Sequence, residues 1–237
     1  MRLLLKFKPM EDFEYYEINN YTLQGFVYSL LKNSNYSHYH NTWGFKYFCF
    51  SNIFPVSDFI TDEIKNLIIS SPNPRIIREI EKQLKKPKKY YIGKYPIEID
   101  SVKVFKPRLK RSFITTTPIV LYKNNRKNIY YSIKKAHDFQ FFLDRLKENA
   151  LKKYNAFYDE NYYFDGNIFD KFEFNREVAV RIKKGGKMFI IIGTLWKNLE
   201  KFNMENKKFY RFILDCGLGE KNSLGFGMLN TREVMKC

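Results

Sequence analysis

The order in which the hydrophobic period changes along the chain restricts its fold more than any other feature. Residues 2–8 alternate with the two-residue period of a half-buried strand. Leu23, Phe26, Val27, Leu30 and Leu31 then fall on one face of a helix predicted over 21–32, which Asn33-Ser34-Asn35 stops. Strands are predicted over 45–51 and 65–70. Asn73 and Pro74 read as the cap and first residue of a second helix, whose buried stripe is Ile76, Ile77, Ile80 and Leu84. Residues 90–92 and 98–106 return to strand. Strand, helix, strand, strand, helix, strand is the split βαβ order of a ferredoxin-like fold.

The pattern then restarts. Residues 112–120 are rich in β-formers, Asn124-Asn125 reads as a turn before 129–132, and 138–158 forms a long helix with Phe142, Leu146 and Ala150 on one face. Residues 177–183 and 188–194 alternate around Gly185-Gly186, a hairpin signal. A helix over 207–216 carries Phe209, Phe212 and Ile213, and a last strand is predicted over 226–229. The expectation is an α+β chain of two tandem ferredoxin-like (RRM-like) folds, residues 1–111 and 112–237. With 18% aromatic residues the chain is not intrinsically disordered. Its longest apolar runs fall well short of the roughly 20 residues of a membrane span, and no small-residue cleavage site follows the first strand. Cys49, Cys216 and Cys237 are odd in number and far apart, which suits neither a disulfide framework nor a zinc site. A reduced, cytoplasmic protein with no membrane partner is expected.

The net charge is +17, from 42 Lys+Arg against 25 Asp+Glu, and it attracts polyanions. Of the basic residues 31 are Lys, beside 21 Asn, a bias that AT-rich coding also produces. The distribution argues for more than coding. Residues 82–111 hold eleven basic side chains, among them Lys106, Arg108, Lys110 and Arg111, opposed only by Glu98 and Asp100.

Two motifs carry chemistry. In residues 217–228 four glycines, Gly217, Gly219, Gly225 and Gly227, permit a backbone path on which a phosphate or another strand comes close. Lys221, Asn222 and Ser223 offer donors for phosphate oxygens at its tip. The Gly-Lys-Ser/Thr order of a P-loop is absent, and the loop follows a helix rather than a strand. Of the three histidines, His137 adjoins Asp138 at a helix start and reads as structural. His38 and His40 lie on the loop that leaves the first helix, and Lys46 follows six residues after His40. Histidine is the side chain best suited to move protons near neutral pH. Tyr28, beside the apolar stripe of the first helix, lies where it can meet His40 and Lys46.

These segments resemble the CRISPR-associated endoribonucleases of the RAMP superfamily, which cut precursor CRISPR RNA within its repeats. Residues 217–228 look like that family's glycine-rich signature. Leu23-Gln-Gly-Phe-Val-Tyr28 is similar to its first helix, His40 to Ser51 to its histidine loop and following strand, and Thr115-Thr-Thr-Pro-Ile119 to the opening of its second module. Asn41 stands where an acidic residue often follows the family's histidine. The resemblance implies two ferredoxin-like folds and a catalytic trio of Tyr28, His40 and Lys46, with His38 as rival proton shuttle. It implies RNA cleavage without metal or cofactor by 2′-OH attack, giving 2′,3′-cyclic phosphate and 5′-OH ends. Expected RNA ligands are Lys106, Arg108, Lys110, Arg111, Gly217, Gly219, Lys221, Asn222, Ser223, Gly225 and Gly227. CRISPR repeat RNA is the expected partner. Effector-complex subunits and a second copy of the chain remain open as further partners. Two other readings stay open at this stage: a repeat-binding subunit that does not cut, and a generic single-stranded RNA binder in which Tyr90, Tyr91 and Phe105 stack bases.

Overall fold

A computed structural model of the chain describes residues 1–42, 44–136 and 138–232, with His40 described in its backbone alone. His137 and Cys237 therefore lie outside the described residues. The chain divides into two compact units. One comprises Met1–Pro107 with Ile182–Phe189 and Ser223–Gly225; the other comprises Arg108–Arg181, Ile190–Asn222 and Phe226–Cys237.

In the first unit β1 (Arg2–Pro9) is the centre of a five-stranded sheet. It pairs antiparallel with β3 (Lys65–Ser70), Arg2 facing Ser70 and Phe7 facing Lys65, and on its other edge with β5 (Tyr95–Phe105). With β2 (Cys49–Phe50) and β4 (Tyr90–Ile92) at the edges the order is β2-β3-β1-β5-β4. Two helices, α1 (Asn20–Leu31) and α2 (Pro74–Leu84), contact each other. Each starts at a side-chain cap. The Asn19 carboxamide accepts from the Tyr21 and Thr22 amides at 2.8 and 3.2 Å, and Asn73 accepts from the Arg75 amide at 3.0 Å. The alternate residues Leu3, Leu5 and Phe7 of β1 are fully buried in one core with Leu23, Val27, Ile77 and Ile80. Burying each such side chain stabilises by about 1.5–3 kcal/mol.

Two boundaries differ from expectation for local reasons. The strand predicted over 45–51 shrinks to Cys49–Phe50, because Tyr47 takes a left-handed φ of 51° that no ladder accommodates. β5 begins earlier than position 98, because Gly93, with φ of 66°, turns β4 straight back on itself.

The second unit opens with β6 (Ser112–Thr115), followed by a small ribbon of β7 (Tyr122–Asn124) and β8 (Ile129–Tyr130). Helices α3 (Ile133–Ala136) and α4 (Phe139–Tyr158), the long hairpin of β9 (Lys171–Lys184) and β10 (Lys187–Glu200), α5 (Lys207–Cys216) and β11 (Leu229–Thr231) complete the chain. The sheet order is β11-β6-β10-β9, so the first and third strands of a strand-helix-strand-strand-helix-strand unit lie at its centre. That is the ferredoxin-like order again. β6 ends short of 120 as Pro118, which has no amide to donate, approaches. The last strand starts at Leu229 rather than 226, because Gly225 and Gly227 both have left-handed φ, 81° and 71°. The core is aromatic: Trp196 lies 5.2 Å from Phe142 and 5.5 Å from Phe172, ring centre to ring centre. Among the described residues no helix is long and apolar enough to cross a membrane. Cys49 and Cys216 are both buried.

Candidate functional site

Tyr28 sits on the exposed edge of α1's apolar stripe and is half-buried. Its ring meets Phe48 edge-on at 5.6 Å. Burial pushes its hydroxyl pKa up, and a hydrogen bond with the Ser223 side chain partly offsets the shift. The hydroxyl therefore keeps its proton at neutral pH.

Ser223 is fixed on α1 by Gln24, whose carboxamide nitrogen donates to the Ser223 carbonyl at 3.0 Å and to its hydroxyl at 3.4 Å. One turn earlier Asn20 donates to the Leu224 carbonyl at 2.9 Å. Gly225 completes this contact. A Cβ there would lie 2.4 Å from the Phe50 ring, so only glycine lets this segment lie down.

The loop after α1 packs back on the helix through a turn, Ser37–His40. The His38 carbonyl accepts from the Asn41 and Thr42 amides, both at 3.0 Å, which closes the turn. The His38 ring stands edge-on to Tyr39 at 4.8 Å, and Tyr36 and Tyr39 pack against the core. His40 is the last residue of the turn; its side chain lies outside the described residues. Lys46 is tied to the same loop, its ammonium donating to the Thr42 carbonyl and, at 3.1 Å, to the Thr42 hydroxyl. Burial holds the Lys46 pKa below the ordinary lysine value. Phe48, the ring against Tyr28, is two residues further on.

In the second unit the glycine-rich loop encloses a charge. Lys153 of α4 is buried, and its ammonium donates to the carbonyls of Gly217 and Gly219, both at 2.9 Å, and to Asn222 Oδ1 at 2.7 Å. Asn222 Nδ2 donates in turn to the carbonyls of Leu218 and Phe226, each at 3.0 Å. Both ends of the Asn222 side chain thus hold the loop's own backbone. Lys221, at a left-handed φ of 59°, projects over the Tyr122 and Tyr130 rings at 5.4 and 5.8 Å. Of the basic candidates, Lys106, Arg108 and Arg111 are exposed and Lys110 is half-buried.

Residues 100–231 match the family model described as CRISPR associated protein Cas6, C-terminal. The CRISPR-associated endoribonuclease Cas6 2 of Methanocaldococcus jannaschii is 44% identical over 97% of this chain and 99% of its own length. The chain belongs to the Cas6 family. The CRISPR-associated endoribonuclease Cas6 of Haloferax mediterranei is 23% identical over 100% of this chain and 95% of its own. Among solved structures, one described as CRISPR associated protein Cas6 superposes with a TM-score of 0.72 at 25% identity, covering 98% of this chain and 99% of that one. Another, described as an RAMP protein binding different RNA substrates, gives 0.71 at 22% identity, covering 98% and 100%. Two tandem ferredoxin-like folds are the fold of this Cas6 chain.

Three residues with clear roles in this geometry escape sequence reasoning. Gln24 and Asn20 leave one signal, since they lie one and two turns before Tyr28 on its own side of the helix. Lys153 leaves none, as it is one of many lysines in a charged helix.

Proposed function

We propose that this chain binds CRISPR repeat RNA and cuts precursor CRISPR RNA beside a ribose whose 2′-OH attacks the adjacent phosphate. The 2′-O–P bond forms, the P–O5′ bond breaks, and a proton leaves the 2′-oxygen while another reaches the 5′-oxygen. The products are a 2′,3′-cyclic phosphate and a 5′-OH. His40 moves the proton, Lys46 offsets the charge that builds on the phosphorane oxygens, and the protonated Tyr28 hydroxyl orients the reacting group. The reading rests on one observation. The turn ending at His40 packs on the helix that carries Tyr28, and the Tyr28 ring abuts Phe48, two residues beyond Lys46. Residues 1–111 act as the catalytic module and 112–237 as the module of the glycine-rich loop. Exposed Lys106, Arg108 and Arg111, with Lys110, hold the RNA backbone. Subunits of an effector complex or a second copy are the protein partners of this reading, and the cytoplasm is its place of action.

The host's repeat RNA, incubated with the protein in EDTA, should be cut once per repeat to leave cyclic-phosphate ends. The same RNA with a single 2′-deoxy sugar at the cleaved linkage should stay intact. Cutting of the deoxy substrate, or a need for divalent metal, overturns the mechanism.

Lys46 sets the alkaline limb of the reaction. Its ammonium carries charge only below its pKa, which burial holds under the ordinary lysine value, so the rate falls as pH rises through that lowered value. Lys46→Arg keeps its proton throughout and should move the limb to higher pH. An unmoved limb in a single-turnover pH profile assigns the titration to another group.

A further inference from the structure

The glycine in the middle of α1 is not required by the protein's own packing. Gly25 is exposed, its backbone is ordinary helix, and a Cβ there would meet nothing within 4 Å. A glycine inside a helix is less stable than alanine, so this one weakens α1 with no internal contact in return. Gly25 lies in the floor of a groove of about 580 Å³ between α1 and the segment that enters β4. Tyr21 and Ser29 line the helix side, and Lys88, Lys89 and Tyr91 line the other. Both tyrosines are exposed, at 38% and 47%, whereas Tyr90 between Lys89 and Tyr91 is buried. The Lys184 ammonium lies over the Tyr21 ring at 4.9 Å. None of the described residues lining the groove is acidic.

We infer that this groove binds the single-stranded nucleotides next to the cleaved linkage, an assignment that rests on the ribonuclease reading above. Flat aromatic faces set among lysines form a stacking platform with phosphate partners. The missing side chain at Gly25 lets a base or ribose lie against the helix backbone. Tyr21 is seven residues before Tyr28, two turns of the same helix and about 10.5 Å along its axis, a gap that a short stretch of nucleotides spans. The groove extends the site along α1, so it reads the RNA flanking the cut and acts on affinity rather than on chemistry.

The test uses the full chain and fluorescein-labelled repeat RNA carrying the 2′-deoxy block, read by anisotropy. Gly25→Leu, which fills the floor, is expected to weaken binding about 10-fold, the scale of one lost stacked base. Gly25→Ala should weaken binding less while raising the melting temperature by roughly 2–4 °C, a pairing that a purely structural glycine does not give. Lys88→Ala with Lys89→Ala should flatten the slope of log K against log salt by about 1.4, and Tyr91→Ala should weaken binding about 5-fold or more. All these substitutions are at exposed positions. Wild-type cutting with every variant binding within twofold of wild type overturns the groove alone. A wild type that neither binds nor cuts repeat RNA overturns the groove and the ribonuclease reading together.

Discussion

Replacing His40 by alanine is expected to slow cleavage of repeat RNA by about 10²–10⁴-fold, the usual contribution of a positioned proton shuttle. Affinity should stay within about twofold, because what is lost acts only in the transition state. Lys46 and Tyr28 remain in the variant and sustain a residual rate. The control is His38, two positions earlier on the same loop. Its carbonyl closes the turn and its ring packs edge-on to Tyr39, so it is engaged in holding the turn. His38→Ala should therefore keep its rate within about threefold, with any larger change appearing as lost thermal stability rather than as lost proton transfer. Single-turnover rates with anisotropy on the same RNA separate the two. If His38→Ala loses the greater rate and His40→Ala cuts normally, the proton shuttle belongs to His38.

The helices were legible where their signals are local. Asn73 and Pro74 mark the start of α2 because a cap acts within three residues of itself. The edges of sheets were less legible. β9 runs 14 residues, from Lys171, yet most of its side chains are exposed, so no burial alternation marked its first half. β2 was overestimated because its apolar run, Phe45 to Phe50, gives no hint that Tyr47 turns left-handed.

The catalytic candidates came from short motifs, each local in sequence. The contact of α1 with the glycine-rich loop is not local: Gln24 and Asn20 meet that loop about two hundred positions away, which no period or spacing encodes. The glycine-rich loop shows the division most plainly. Its four glycines signalled a close approach, and in the second unit the approaching object is protein backbone. A Cβ on Gly219 would lie 2.5 Å from the Val120 carbonyl oxygen, and one on Gly227 would lie 1.8 Å from that of Leu218. The donors read at the tip as phosphate ligands divide similarly: Asn222 is occupied within the loop, and Lys221 rests over two tyrosine rings.

The cation under that loop makes the second large effect. Lys153→Met keeps the length of the side chain but removes the donor to three oxygens, Gly217 O, Gly219 O and Asn222 Oδ1. A buried acceptor left without its donor costs about 1–3 kcal/mol, and breaking a buried charged contact typically costs about 3–5 kcal/mol in all. For a chain of this size that corresponds to a melting temperature lower by roughly 6–20 °C. The adjacent Lys152 is exposed, so Lys152→Met changes the net charge by the same amount and should melt within about 2 °C of wild type. Gly227→Ala attacks the same loop from its other side, placing a Cβ against the Leu218 carbonyl at a φ of 71°, and should fall in the Lys153→Met range. Thermal melts of the three variants by circular dichroism decide the matter. If Lys153→Met melts with Lys152→Met while Gly227→Ala is strongly destabilised, the glycines order the loop and the buried ammonium does not.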